Sequence, residues 1–107
     1  MMLKVMRKNE RTAPLVCCNV CGSWIDDASL GAAVFAHLGF EDGDTQQVQL
    51  VHKGACHDTA EAQLRTKGAG VSWQELKRYL VDALHNSGVT IDTLREMQED
   101  EEKFGRL

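Results

Sequence analysis

The chain of 107 residues predicts an α+β fold: a tight cysteine-bearing turn, a β-hairpin and a short helix, followed by two C-terminal helices. Three observations lead there. All four cysteines and two of the four histidines fall in two short clusters, Cys17-Cys18-Asn19-Val20-Cys21-Gly22 and His52-Lys53-Gly54-Ala55-Cys56-His57. Between the clusters, Gln46 to Val51 alternates polar and apolar residues in its middle, the period of a half-buried strand. Beyond them, Trp73, Leu76, Leu80, Val81 and Leu84 recur at helical spacing on one face.

Taken in order, residues 1–14 read as a flexible basic arm that ends at the single proline, Pro14, with a short strand expected at Leu15-Val16-Cys17. Residues 15–70 form the module that contains both clusters. Gly22 follows the Cys18-x-x-Cys21 turn, where a residue free to adopt positive φ lets the backbone reverse tightly. Ala28 to Leu38 is small and apolar and reads as the first arm of a long-turned hairpin, although its alanines also suit a helix. Gln46 to Val51 is the second arm.

A helix is expected over Asp58 to Lys67, stopped by Gly68-Ala69-Gly70. That places Cys56 and His57 at its N-terminus, where free amides and the dipole favour a thiolate. Residues 71–107 read as a helical hairpin packed on the module. Ser72-Trp73-Gln74-Glu75 has the form of a capping box for a helix over 72–86, and Thr90 is placed to cap a last helix bearing Ile91, Leu94 and Met97.

Composition bounds what such a chain does. Only 6% of it is aromatic, and a small aromatic-poor core gains from a staple. No apolar run is long enough to cross a membrane, and charges interrupt the N-terminal segment where a secretory signal would be apolar. A cytoplasmic location is therefore the expectation, and there cysteines read as ligands before disulfides. The net charge is −4, with a basic start and an acidic end, whereas general binding of nucleic acid needs an accumulated basic face.

The two clusters point to Zn²⁺. Four borderline-soft donors at tetrahedral corners are needed, and a C-x-x-C turn supplies two of them with little strain. Cys18 and Cys21 have that spacing, and Cys17 reads as a buried strand residue. Cys56 is the third ligand. The fourth is His52 or, as the alternative, His57, which sits beside Cys56 and on a helix would point about 100° away from it. Four protein donors describe a closed structural site, and the H-x-E and H-E-x-x-H patterns of catalytic zinc are absent from the sequence. C-x-x-C is also a redox dithiol spacing, but Gly22-Ser23-Trp24-Ile25-Asp26-Asp27 is a poor start for the helix a thiol oxidoreductase needs there. His37 and His85 stand alone, and the acidic turns at Asp26-Asp27 and Glu41-Asp42-Gly43-Asp44 lack the spacing of a calcium loop.

In its order of knuckle, hairpin and helix carrying the second ligand pair, the stretch 15–67 resembles the treble-clef group of small zinc fingers. The resemblance implies a zinc-binding architecture; the group includes nucleic-acid binders, protein-interaction modules and a few nucleases. His52-x-x-x-Cys56 departs from the C-x-x-C usual for the helix pair. The functional expectation is a non-catalytic, zinc-stabilised domain that binds another protein through its C-terminal helices, in the manner of a regulator or inhibitor of a nucleic-acid-handling machine. The competitor is a nucleic-acid-binding zinc finger using Lys4, Arg7, Lys8, Arg11, Lys53, Arg65 and Lys67. The amphipathic helices also suit a homodimer.

Overall fold

In the computed structural model, residues 3–36, 41–68 and 70–98 are described. Leu3–Lys8 (β1) and Arg11–Val16 (β2) pair antiparallel, from Leu3 opposite Val16 to Lys8 opposite Arg11. Asn9 and Glu10 form the turn with φ of 52° and 62°. Positive φ at both central residues matches the right-handed twist of the strands it joins. The segment read from sequence as a flexible basic arm is thus a β-hairpin over its described part. Its alternation is masked because Leu3 and Val5 stay exposed beside Lys4, Arg7 and Lys8; only Ala13 and Leu15 of the hairpin are buried.

The second sheet is built on Gly31–Ala36 (β3), which has Gln49–His52 (β4) on one edge and Val71–Glu75 (β5) on the other, both antiparallel. A single 3-10 turn over Ala28–Leu30 precedes β3, with Asp27 Oδ1 accepting from the Ser29 amide at 2.9 Å. The expected hairpin is present, and its alanine-rich arm is a strand: every residue of β3 except Phe35 is buried, so small side chains serve packing from both faces. Ala55–Thr66 (α1) starts earlier than Asp58, directly after β4.

Among the described residues, α1 is followed by two further helices, Leu76–Asn86 (α2) and Ile91–Gln98 (α3). The capping box expected at Ser72-Trp73-Gln74-Glu75 does not form. Ser72 and Trp73 lie opposite Phe35 and Val34 in the sheet, and α2 begins at Leu76 without a side-chain cap. Two forces outweigh the local signal. The second edge of β3 would otherwise present unpaired amides, and the Glu75 carboxylate is engaged by Lys53 Nζ at 2.7 and 2.8 Å. At α3 the expected cap does form, with the Thr93 amide donating to Thr90 Oγ1 at 3.1 Å. His37 and the acidic stretch from Glu99 onward lie outside the described residues.

The core lies around β3, where Val34, Leu50, Val51, Leu76 and Cys18 are fully buried. Trp73, opposite Val34, meets His57 of α1 edge-on at 5.1 Å, whereas the other face of β3, at Gly31, meets Leu76 of α2. The sheet therefore carries α1 on one face and α2 on the other. No helix among the described residues is long and apolar enough to cross a membrane.

Candidate metal centre

Cys18 and Cys21 stand on a turn that closes on itself. The Cys18 amide donates to the Ser23 carbonyl at 2.8 Å, and the Gly22 amide to the Cys18 carbonyl at 2.9 Å, with Gly22 at a φ of 78°. The amides of Val20 and Cys21 point at the Cys18 sulfur from 3.4 and 3.5 Å. This is the knuckle the sequence predicts. Cys17 is buried and bridges to Trp24, outside the cluster, as expected of a strand residue.

The second half comes off β4. His52 ends the strand, Gly54 turns the chain at a φ of 91° and ψ of −130°, and Cys56 lies in the first turn of α1. A side chain is strained in that backbone region, so a glycine permits strand to become helix within two residues.

Asn19 fixes one half against the other. Its amide donates to the Leu50 carbonyl and its side-chain oxygen accepts from the Leu50 amide, both at 2.8 Å. The knuckle is thereby held to β4 two residues before His52. Sequence reading passed over Asn19 and Gly54; the signals available were an amide side chain inside the knuckle and a lone glycine between two ligand types.

These supports bring Cys18, Cys21, His52 and Cys56 together, with one donor atom from each lying within 4.8 Å of every other. His52 is the fourth member. Its Nδ1 is 3.5 Å from Cys21 Sγ, and its Nε2 is 3.2 Å from the Trp24 carbonyl, which can only accept. Nε2 therefore donates to that carbonyl, and the ring is held with Nδ1 towards the sulfurs, the orientation a backbone acceptor gives to a metal-bound histidine. His57, the alternative, turns away: its Nε2 meets Glu61 Oε1 at 2.9 Å and its ring packs on Trp73.

The thiols are not equivalent. Burial alone would raise the Cys18 pKa, but the amides of Cys21, His52 and Val20 outweigh it and hold the thiol below its ordinary value. The Ser23 amide is the main cause that keeps Cys21 low. Cys56 is pushed up to about 11, by burial first and then by the neighbouring sulfurs of Cys18 and Cys21. The helix N-terminus, expected to favour its thiolate, is overridden in the metal-free chain. Three sulfurs this close repel as thiolates, and a bound cation relieves that. Lys4 Nζ, 3.3 Å from the Gly22 carbonyl, adds a positive charge at the rim of the knuckle.

The chain is thus an α+β protein with a Cys₃His cluster of the kind that zinc fingers use, able to hold a metal ion. Comparison with protein-family models, curated proteins and solved structures gives no match.

Proposed function

We propose that the cluster holds one structural zinc ion, and that the module it staples acts without catalysis, by binding another protein through its C-terminal helices. One observation carries the metal reading: His52 is pinned by the Trp24 carbonyl with Nδ1 3.5 Å from Cys21 Sγ. In tetrahedral zinc with Zn–S near 2.3 Å and Zn–N near 2.0–2.1 Å, donor atoms stand about 3.5–3.8 Å apart. The pair already spans such an edge, and the remaining donors need to close by roughly 1.0–1.3 Å at most from their 4.8 Å limit.

Three thiolates and an imidazole suit zinc and disfavour calcium or magnesium. Four protein donors fill the tetrahedron and leave no position for a reacting water, which supports a structural role. The order of knuckle, antiparallel β3–β4 pair and α1 supports a treble-clef-like arrangement.

The interaction half rests on apolar residues of α2 and α3 that stay exposed, Val81, Leu84, Ile91, Leu94 and Met97. The nucleic-acid alternative loses part of its basic set, because Lys53 is paired with Glu75 and Arg65 with Glu61.

Elemental analysis of chain purified without added metal is expected to give about one zinc per chain. Cys21→Ser and Cys56→Ser should lose it together with cooperative unfolding of 15–67. Metal-free protein that melts at the same temperature as the loaded form would refute the structural role. A salt-dependent shift with DNA or RNA would move the functional reading to nucleic acid.

A further inference from the structure

We propose that the outer edge of β1 is a docking site for an extended, acidic peptide segment of another protein, which joins the β1–β2 hairpin as a third strand. The surface is a second one, distinct from the C-terminal helices.

β1 pairs with β2 alone, so one of its edges has no strand beside it among the described residues. Pro14 tells which backbone groups that edge presents. It stands opposite Val5 and has no N–H, so the two cannot exchange both hydrogen bonds as a bonded pair does. Val5–Pro14 is therefore the non-bonded kind of pair, and alternation puts Leu3–Val16 and Arg7–Thr12 in the same class. The Val16 carbonyl agrees: it accepts from the Ile25 amide at 2.9 Å, on the side away from β1. On β1, the amides and carbonyls of Leu3, Val5 and Arg7 consequently face outward.

The two edges of the hairpin differ. β2 closes its own with a proline that cannot donate and a carbonyl already taken at Val16. β1 has neither device. Its side chains alternate, with Leu3 and Val5 on one face, 64% and 69% exposed, and Lys4 and Lys8 on the other. A strand added here gains main-chain hydrogen bonds and also covers apolar side chains.

Charge selects the occupant. Residues 3–12 carry Lys4, Arg7, Lys8 and Arg11 against Glu10, which is +3 within a chain of net −4. Lys4 and Arg7 bond the neutral Gly22 carbonyl and Thr12 hydroxyl, and none of the four cations is in an ion pair among the described residues. β1 itself has three cations and no acid, so a second copy of β1 laid along this edge meets only like charge. A strand bearing carboxylates meets the opposite sign. A phosphodiester backbone also suits the cations, but its phosphate oxygens only accept, which leaves the outward carbonyls of Leu3, Val5 and Arg7 without donors. A peptide brings a donor and an acceptor at each residue.

The probe is a fluorescently labelled peptide of about eight residues alternating Glu and Val, a strand's length. In anisotropy titrations at low salt, the full chain is expected to bind it and to bind the same peptide with Lys for Glu far more weakly. On binding, the amides of Val5 and Arg7 should gain protection from hydrogen exchange, whereas that of Met6, already in the ladder, should not change. Val5→Pro removes an outward N–H and no ladder bond, and should weaken the peptide by roughly three- to tenfold, the share of one hydrogen bond. R7E/K8E, at exposed positions, keeps the backbone edge and should turn the preference towards the lysine peptide. A native chain that ignores the acidic peptide overturns the proposal. Binding without new protection at Val5 and Arg7 is charge attraction alone and overturns strand addition. Tighter binding of single-stranded or duplex nucleic acid than of the peptide, at the same salt, assigns the hairpin to nucleic acid and overturns the peptide as occupant.

Discussion

Gly31→Ala joins the core to the metal centre in one experiment. Gly31 lies opposite His52 in the β3–β4 register, and its own backbone is extended at φ −117° and ψ 157°, where alanine is unstrained. In open space such a substitution stabilises by about 0.4–1 kcal/mol through the unfolded chain. Here a Cβ would lie 2.5 Å from Leu76 Cδ2, with Leu76 Cβ at 3.1 Å and Ile25 Cγ2 at 3.2 Å behind it. Carbon atoms in contact sit about 3.5–4.0 Å apart, so the first overlap is roughly 1 Å. Leu76 is only 1% exposed and has no solvent to turn into.

The expected net cost is about 1–3 kcal/mol, the range for an over-packed core. At this chain length that lowers the melting temperature by roughly 4–13 °C. Urea unfolding at fixed excess zinc measures it, and a chelator competition should show weaker metal binding as β4 shifts under His52. The same substitution in a Leu76→Ala background should cost much less, because the nearest clashing atom is gone. Gly31→Ala as stable as the native chain, or equally costly in both backgrounds, would refute the account of how α2 seats on β3.

The two histidines separate cleanly. His52→Ala should lower zinc affinity by at least a hundredfold in a chelator titration, whereas His57→Ala should leave the stoichiometry intact and cost only the Glu61 and Trp73 contacts. Zinc affinity should also rise with pH. Cys56 keeps its proton up to about 11 in the metal-free chain, so loading at neutral pH must expel it, and each expelled proton contributes about tenfold per pH unit. The contribution of Cys56 to the metal-free fold has the opposite sign: a thiol raised from 9.0 to about 11 contributes stability that is present below 9 and lost as pH rises through 11, while Cys18 and Cys21, held low, work the other way. Zinc titrations between pH 6 and 8 with a flat affinity would contradict the first statement.

The four members of the cluster were legible because each pair is local. Cys18 and Cys21 share one turn, and His52 and Cys56 flank one strand-to-helix junction, so spacing alone carries them. Strand β4 was legible by its alternation. The β1–β2 hairpin was not, because Asn9-Glu10 lacks the glycine that usually marks such a turn and β1 buries too little for a period to show. Strand β5 was hidden behind a stronger local signal. Ser72 and Glu75 spell a helix start, and only the free edge of β3, forty residues away in sequence, outvotes it. The choice between His52 and His57 was legible as a direction argument, and the Trp24 carbonyl that fixes it lies on the other half of the site.

The Cys₃His donor set reverses an intuition about cations. The free chain has a formal charge of −4 with its thiols protonated. A zinc ion held there as proposed would add two positive charges while the three thiols released three protons, which would bring the chain to −5. Capturing a dication would thus leave the protein more acidic, with the surplus negative charge lodged at the knuckle beside the Lys4 ammonium. Metal occupancy would then be an electrostatic property of that surface, which any approaching charged molecule would encounter before touching a member of the cluster.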